Sequence, residues 1–194
     1  MIPARQIFES FAGLPAGTMP DDPIDALQVR LAAWEAGQPF HVVSDLPVAL
    51  GIGEECGELA DAETTEEEID AVGDVAIYVC QVATRNRLAM RWILDAPSSK
   101  KKHRDPWHRD PWRNLVSALG RVKHLVLKRS QRIREGLLPV EEYRELLATA
   151  LADVTFAVER AAGRRAEDAF LDTASRILAR DWNADRAQGG EVAP

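Results

Sequence analysis

Apolar residues recur every three or four positions over most of this 194-residue chain, and no stretch alternates long enough to make a strand. Ile24, Leu27, Leu31 and Trp34 keep that spacing, as do Val48, Ile52, Cys56 and Leu59, then Ile69, Val72, Ala76, Val79 and Ala83. A period near 3.6 gathers such residues on one helix face, whereas a half-buried strand needs a period of two. The expected fold class is therefore all-α, an antiparallel helical bundle. Composition agrees: 46% of residues are apolar, enough for a packed interior, while aromatics reach only 6%. Ala, Leu, Arg and Glu dominate, which favours helix over sheet.

Punctuation residues divide the chain. A short helix is expected over 3–12. Asp22-Pro23 starts a helix that ends at Gly37-Gln38-Pro39, and Ser44-Asp45 opens the next. Thr65 with Glu68 three residues on reads as a capping box for a helix reaching 85–87, followed by a shorter segment over 88–96. Residues 97–113 read as a connector. There His103-Arg104-Asp105-Pro106-Trp107 repeats as His108-Arg109-Asp110-Pro111-Trp112, and the two prolines interrupt a regular helix. Helical pattern resumes from 113 to Arg134, from Val140 to Ala162, and over roughly 165–181 before a polar tail. Gly73-Asp74-Val75-Ala76-Ile77-Tyr78-Val79 matches Ala152-Asp153-Val154-Thr155-Phe156-Ala157-Val158 in pattern, which points to a degenerate duplication. The expected organisation is a first half, 1–96, a connector, 97–113, and a second half, 114–194, packed as a pseudo-symmetric pair.

Charge is unevenly spread. Residues 100–136 carry twelve Lys or Arg against three acids, a balance of +9, which leaves −16 for the rest of a chain whose net charge is −7. Most of these cations read as a solvated helix face and a loop; the sharper readings are a nucleic-acid patch or a subsite for phosphates. Two cysteines, Cys56 and Cys80, make no disulfide scaffold. No apolar run approaches the ~18 residues of a membrane span, and the start, Met-Ile-Pro-Ala-Arg-Gln, lacks a signal-peptide profile. A cytoplasmic protein without a membrane partner is expected.

The chemistry sits in the first half. Glu54, Glu55 and Glu58 lie on one helix, and Glu67, Asp70 and Asp74 follow at i, i+3 and i+7 on the next. Both acidic faces border apolar stripes, and Asp74 is embedded in Val72-Gly73-Asp74-Val75-Ala76-Ile77. Carboxylates this close repel unless something positive lies between them. Glu66 and Glu68 read as helix N-terminal charge compensation. Glu55, Glu58 and Asp74 read as metal ligands, and an oxygen-only donor set suits Mg²⁺ or Mn²⁺. Other chemistries fail on residues: no Glu-x-x-His for a di-iron bundle, no His-Asp dipeptide, no Gly-rich phosphate loop and no zinc spacing.

At these residues the chain resembles the MazG-like, all-α nucleotide pyrophosphohydrolase superfamily, whose signature is a Glu-x-x-Glu helix followed by a Glu-x-x-Asp helix. Glu55-Cys56-Gly57-Glu58-Leu59-Ala60 matches the first element, with Glu54 before it, and Asp70-Ala71-Val72-Gly73-Asp74-Val75 resembles the second. One position departs: Ala71 stands where the family usually has Glu, and Asp70, one residue earlier, shares the same face. Asp181-Trp182-Asn183 and its neighbours also look like the closing segment of small members. The second half keeps only the pattern. Gly120 can match either Gly51 or Gly57; with Gly120 aligned on Gly57, Ala118 and Arg121 take the positions of Glu55 and Glu58, and of the acids only Asp153, matched to Asp74 in its own stretch, survives.

The resemblance implies Mg²⁺-dependent hydrolysis of a nucleoside triphosphate to the monophosphate and pyrophosphate, with Mn²⁺ as a substitute ion. Glu55, Glu58, Asp70 and Asp74 would hold the metal, and Glu54 or Glu55 would take a proton from the attacking water. Lys123, Lys128 or Arg180 would neutralise the leaving group. Trp34 completes a core-like stripe and is also the candidate base-stacking surface. Single-repeat members build their pocket with another subunit, so a duplicated chain supplies that contact as an intrachain pseudo-dimer and leaves a homodimer open. The competing expectation is a degenerate relative that binds nucleotide or a protein partner without turnover. A nucleic-acid surface over 100–136 ranks last.

Overall fold

Each helix of the first half begins where a side chain takes up free backbone N–H groups. Asp22 accepts from Ile24 N–H at 2.9 Å and Asp25 N–H at 3.2 Å, with Pro23 in the first helical position, to begin α1 (Pro23–Ala36). Ser44 accepts from Leu46 N–H at the start of α2 (Asp45–Asp61). Thr64, not Thr65, caps α3 (Thr65–Arg85). Both threonines have a glutamate three residues on, so the sequence admits either register. In the observed one Glu67 collects two backbone donors, Glu63 N–H at 2.8 Å and Thr64 N–H at 3.0 Å, while its own N–H reaches the Thr64 hydroxyl at 3.2 Å. Glu67 thereby leaves the acidic face it was expected to share with Asp70 and Asp74.

The computed structural model describes residues 20–37, 44–96 and 110–180, and all regular structure among them is helical. After the short α4 (Met90–Asp95), α5 (Pro111–Gln131) starts inside the expected connector. Asp110 accepts from Trp112 N–H at 2.9 Å, and Pro111 takes the first helical position, where its missing N–H costs nothing. Asp110-Pro111-Trp112 of the second pentapeptide copy is therefore a helix start. Its first copy, the helix expected over 3–12 and the segment from Asp181 onward lie outside the described residues. A 3-10 turn, Arg134–Leu137, links α5 to α6 (Val140–Ala162), which Gly163 closes in the left-handed region at φ 67°, before α7 (Ala166–Ala179).

Two antiparallel hairpins, α2–α3 and α5–α6, form the body, with α2 on α5 and α3 on α6. Ile52, Val72, Val79, Val122, Leu147 and Leu151 are all fully buried between them, each contributing about 1.5–3 kcal/mol by leaving water. Then α7 returns to lie on α3 and α1. The α3–α7 crossing is close because residue 73 is glycine: a Cβ there would collide with the Thr173 hydroxyl.

Two polar contacts fix the remaining helices. Buried Gln28 on α1 donates to Thr84 Oγ1 at 3.0 Å and Leu88 C=O at 2.8 Å, and accepts from Met90 N–H at 2.8 Å. Arg91 on α4 reaches Asp22 and Glu167, both at 3.1 Å, tying the starts of α1 and α7 together. No helix among the described residues is long and apolar enough to cross a membrane.

Candidate active site

The helices so placed, α1, α2, α3 and α7, enclose a cleft of about 880 Å³, within the size range of small-molecule sites. Glu55 enters it from α2, and Asp70, Asp74 and Tyr78 from one face of α3. Trp34 comes from α1, and Arg176 and Arg180 from the end of α7. The local reasons are simple. Residues four apart share a helix face, so Asp70, Asp74 and Tyr78 form one column. The hairpin turn sets the middle of α2 across from that column. Gly51 lets the Tyr78 ring lie against α2, since a Cβ there would stand 2.6 Å from the ring.

Electrostatics marks the cluster. The Glu55 carboxyl is pushed up to about 7, first by burial and then by the charges of Asp74, Glu58, Glu54 and Asp70. Asp74 is pushed up to about 6 by burial and by Asp70, with Arg176 pulling the other way and Glu58 adding a smaller push. Burial and the same acids raise the Tyr78 hydroxyl. Thus Glu55, Glu58, Asp70 and Asp74 act on one another, although Glu58 is exposed and only the other three line the cleft. Glu54 is also exposed and outside the lining.

This donor set has the right chemistry for Mg²⁺ or Mn²⁺: it offers carboxylate oxygens only, from acids that repel one another. Its oxygens are not converged. Among the described residues no three Asp, Glu, His or Cys side chains form a ready metal-binding group. One cause is visible, because Arg176 Nη2 holds Asp70 Oδ1 at 2.8 Å.

The residues expected to contact substrate divide. Trp34, half-buried, and Arg180 line the cleft. Lys123 and Lys128 do not. Lys123 lies over Gly53 in the α2–α5 seam, close enough to Cys56 to oppose the burial that pushes that thiol up to about 12. Lys128 donates to Gln131 at 3.3 Å near the far end of α5. The cations at the cleft, Arg176 and Arg180, come from the end of α7, within residues 114–194. Tyr78 and Arg176 were missed. The four-residue step from Asp74 to Tyr78 is a readable signal; Arg176 meets Asp70 across 106 residues and leaves no local one.

Comparison with protein-family models, with curated proteins and with solved structures finds no match to this chain. The chemistry of the cleft has to be read from its own side chains.

Proposed function

We propose that this cleft hydrolyses nucleoside triphosphates to the monophosphate and pyrophosphate with the help of Mg²⁺ or Mn²⁺. One observation carries the reading: a cluster of mutually repelling carboxylates shares a nucleotide-sized cleft with two aromatic rings and two arginines. The resemblance of Glu55-Cys56-Gly57-Glu58 and of the stretch from Asp70 to Asp74 to the MazG-like signature supports it. A cation held by Glu55, Glu58, Asp70 and Asp74 would neutralise phosphate oxygens and make a nearby water more acidic.

The remaining work belongs to the chain. Glu55 lines the cleft and exposed Glu54 does not, so Glu55 is the better placed of the pair to take the proton of the attacking water. The water oxygen bonds to the α-phosphorus, the bond from that phosphorus to the oxygen bridging it to the β-phosphorus breaks, and pyrophosphate leaves toward Arg180. Trp34 and Tyr78 offer ring faces to a base. On this reading α7 plays the part of a second subunit's wall, and the two free buried cysteines suit a reducing cytoplasm.

The test is release of pyrophosphate from a panel of ribo- and deoxyribonucleoside triphosphates, with and without Mg²⁺. Mg²⁺-dependent release from at least one of them, lost in Glu58→Gln, is expected. Nucleotide binding with no release from any would favour a binding protein without turnover, and absence of both would overturn the reading.

A further inference from the structure

Arg176 stands over the acidic column of α3 although it belongs to the last helix described. Its Nη2 donates to Asp70 Oδ1 at 2.8 Å and to Thr173 Oγ1 at 2.9 Å, and its Nε faces Asp172 Oδ2 at 3.3 Å. Its charge also reaches Asp74. Thr173 is buried and seated against Gly73, which sets the root of the arginine beside the column. Arg180, four residues on, lines the same cleft.

We infer that Arg176 is the cleft's own exchangeable cation: it holds Asp70 until a divalent ion takes that carboxylate, and the freed guanidinium then binds the substrate's phosphates. This rests on the metal-assisted reading above. Magnitudes decide it. Both partners of the ion pair are more than half exposed, at 53% and 58%, and exposed pairs of this kind are weak. Such a pair is too weak to lock Asp70 against a divalent ion. A released guanidinium stays tethered at the cleft edge, and its planar fork of donors matches phosphate oxygens.

The experiment is a Mn²⁺ titration of the full-length protein, followed by electron paramagnetic resonance, on the parent, Arg176→Gln and Arg176→Lys. Inorganic pyrophosphate is then titrated with Mn²⁺ present, and melting temperatures are recorded throughout. Arg176→Gln is expected to bind Mn²⁺ about two- to fivefold more tightly, since no pair has to be broken first. Arg176→Lys, which keeps the competing charge, should stay near the parent. Pyrophosphate binding should weaken about tenfold in Arg176→Gln. If all three proteins bind Mn²⁺ alike and Arg176→Gln only melts lower, Arg176 merely fastens α7 to α3 and the inference is overturned. If none binds Mn²⁺, the metal-assisted reading falls together with it.

Discussion

In the α5–α6 hairpin, Arg121 Nη2 reaches Asp153 Oδ2 at 2.7 Å, and the Asp153 side chain is fully buried. Aligning Gly120 on Gly57 sets Glu58 of the α2–α3 hairpin against Arg121, and Asp74 matches Asp153 separately, by the pattern of its own stretch. One hairpin thus carries an ion pair between its helices, and the other brings Glu58 and Asp74 within each other's electrostatic reach. In the second hairpin a single arginine pairs with the buried aspartate. In the first, Glu55 and Asp74 are half-buried, and burial first, then the neighbouring acids, raises both carboxyls. Raised carboxyls in a cleft are a cost to the fold, and such costs gather where a ligand supplies the missing charge.

The sharpest way to break this contrast is to give the first hairpin the second one's answer. Glu58→Arg is expected to reduce pyrophosphate release by more than about 100-fold, because a charge-matched cluster no longer needs a cation. Melting temperature should hold or rise at the same time. Retained activity would mean that Glu58 and Asp74 do not work as a pair. The reverse operation strips the second hairpin of its cation. Arg121→Leu leaves a buried carboxylate without its guanidinium, and with Arg121 two-fifths exposed the lower end of the usual cost applies, about 3 kcal/mol. Denaturant unfolding measures it, and Arg121→Leu combined with Asp153→Leu should recover most of the loss. A loss below about 1 kcal/mol would show that the ion pair is not what settles Asp153.

A third contrast is in pH. Without added metal, Glu55 and Asp74 hold protons more tightly in the folded protein than in the unfolded chain, since both carboxyls are raised. More protons bound on the folded side means that stability falls as pH rises, from about 4 up to the raised values of about 6 and about 7. Both side chains are only half-buried, so solvent screening leaves about 1–2 kcal/mol, a few degrees in melting temperature. Glu55→Gln should flatten about half of that slope, since Asp74 is raised by burial and Asp70 independently of Glu55. A slope unchanged in the variant would place its origin elsewhere.

How far the sequence reaches is itself uneven across these regions. Helix faces and the caps at Asp22 and Ser44 were legible because each depends on residues within one turn. Glu55 and Asp74 stood out because acids inside apolar stripes are out of place on a solvated face. Charge counting was a poorer guide to direction. The basic stretch around α5 suggested Lys123 and Lys128 as phosphate partners, yet much of that charge turns inward or onto its own turn. Arg121 meets Asp153, Lys123 lies over Gly53, and Arg129 donates to the carbonyls of Gly136 and Leu138 at 3.1 Å while stacking 4.8 Å from the Tyr143 ring centre. A run of like charges states a sign; only packing says what it faces. The arginines at the cleft sit on a helix whose docking depends on Gly73 and Thr173, one hundred residues apart in sequence.

The smallest expected effect concerns how the two hairpins are started. In the first, a capping box at Thr64 and Glu67 closes the turn into α3. In the second, α6 begins after Pro139 with no side-chain cap, and Arg129 fastens the preceding turn instead. The threonine pair separates the two registers the sequence allows. Thr64→Ala removes the hydroxyl that accepts from Glu67 N–H and should cost about 0.5–1 kcal/mol, with pyrophosphate release unchanged. Thr65→Ala, one position inside the helix, should cost at most a few tenths, because alanine is the better helix former there. Urea unfolding of the two variants side by side makes the measurement. If Thr65→Ala is the more damaging, α3 begins one residue later than described, and Glu67 returns to the acidic face beside Asp70 and Asp74, where it would count among the groups a cation has to satisfy.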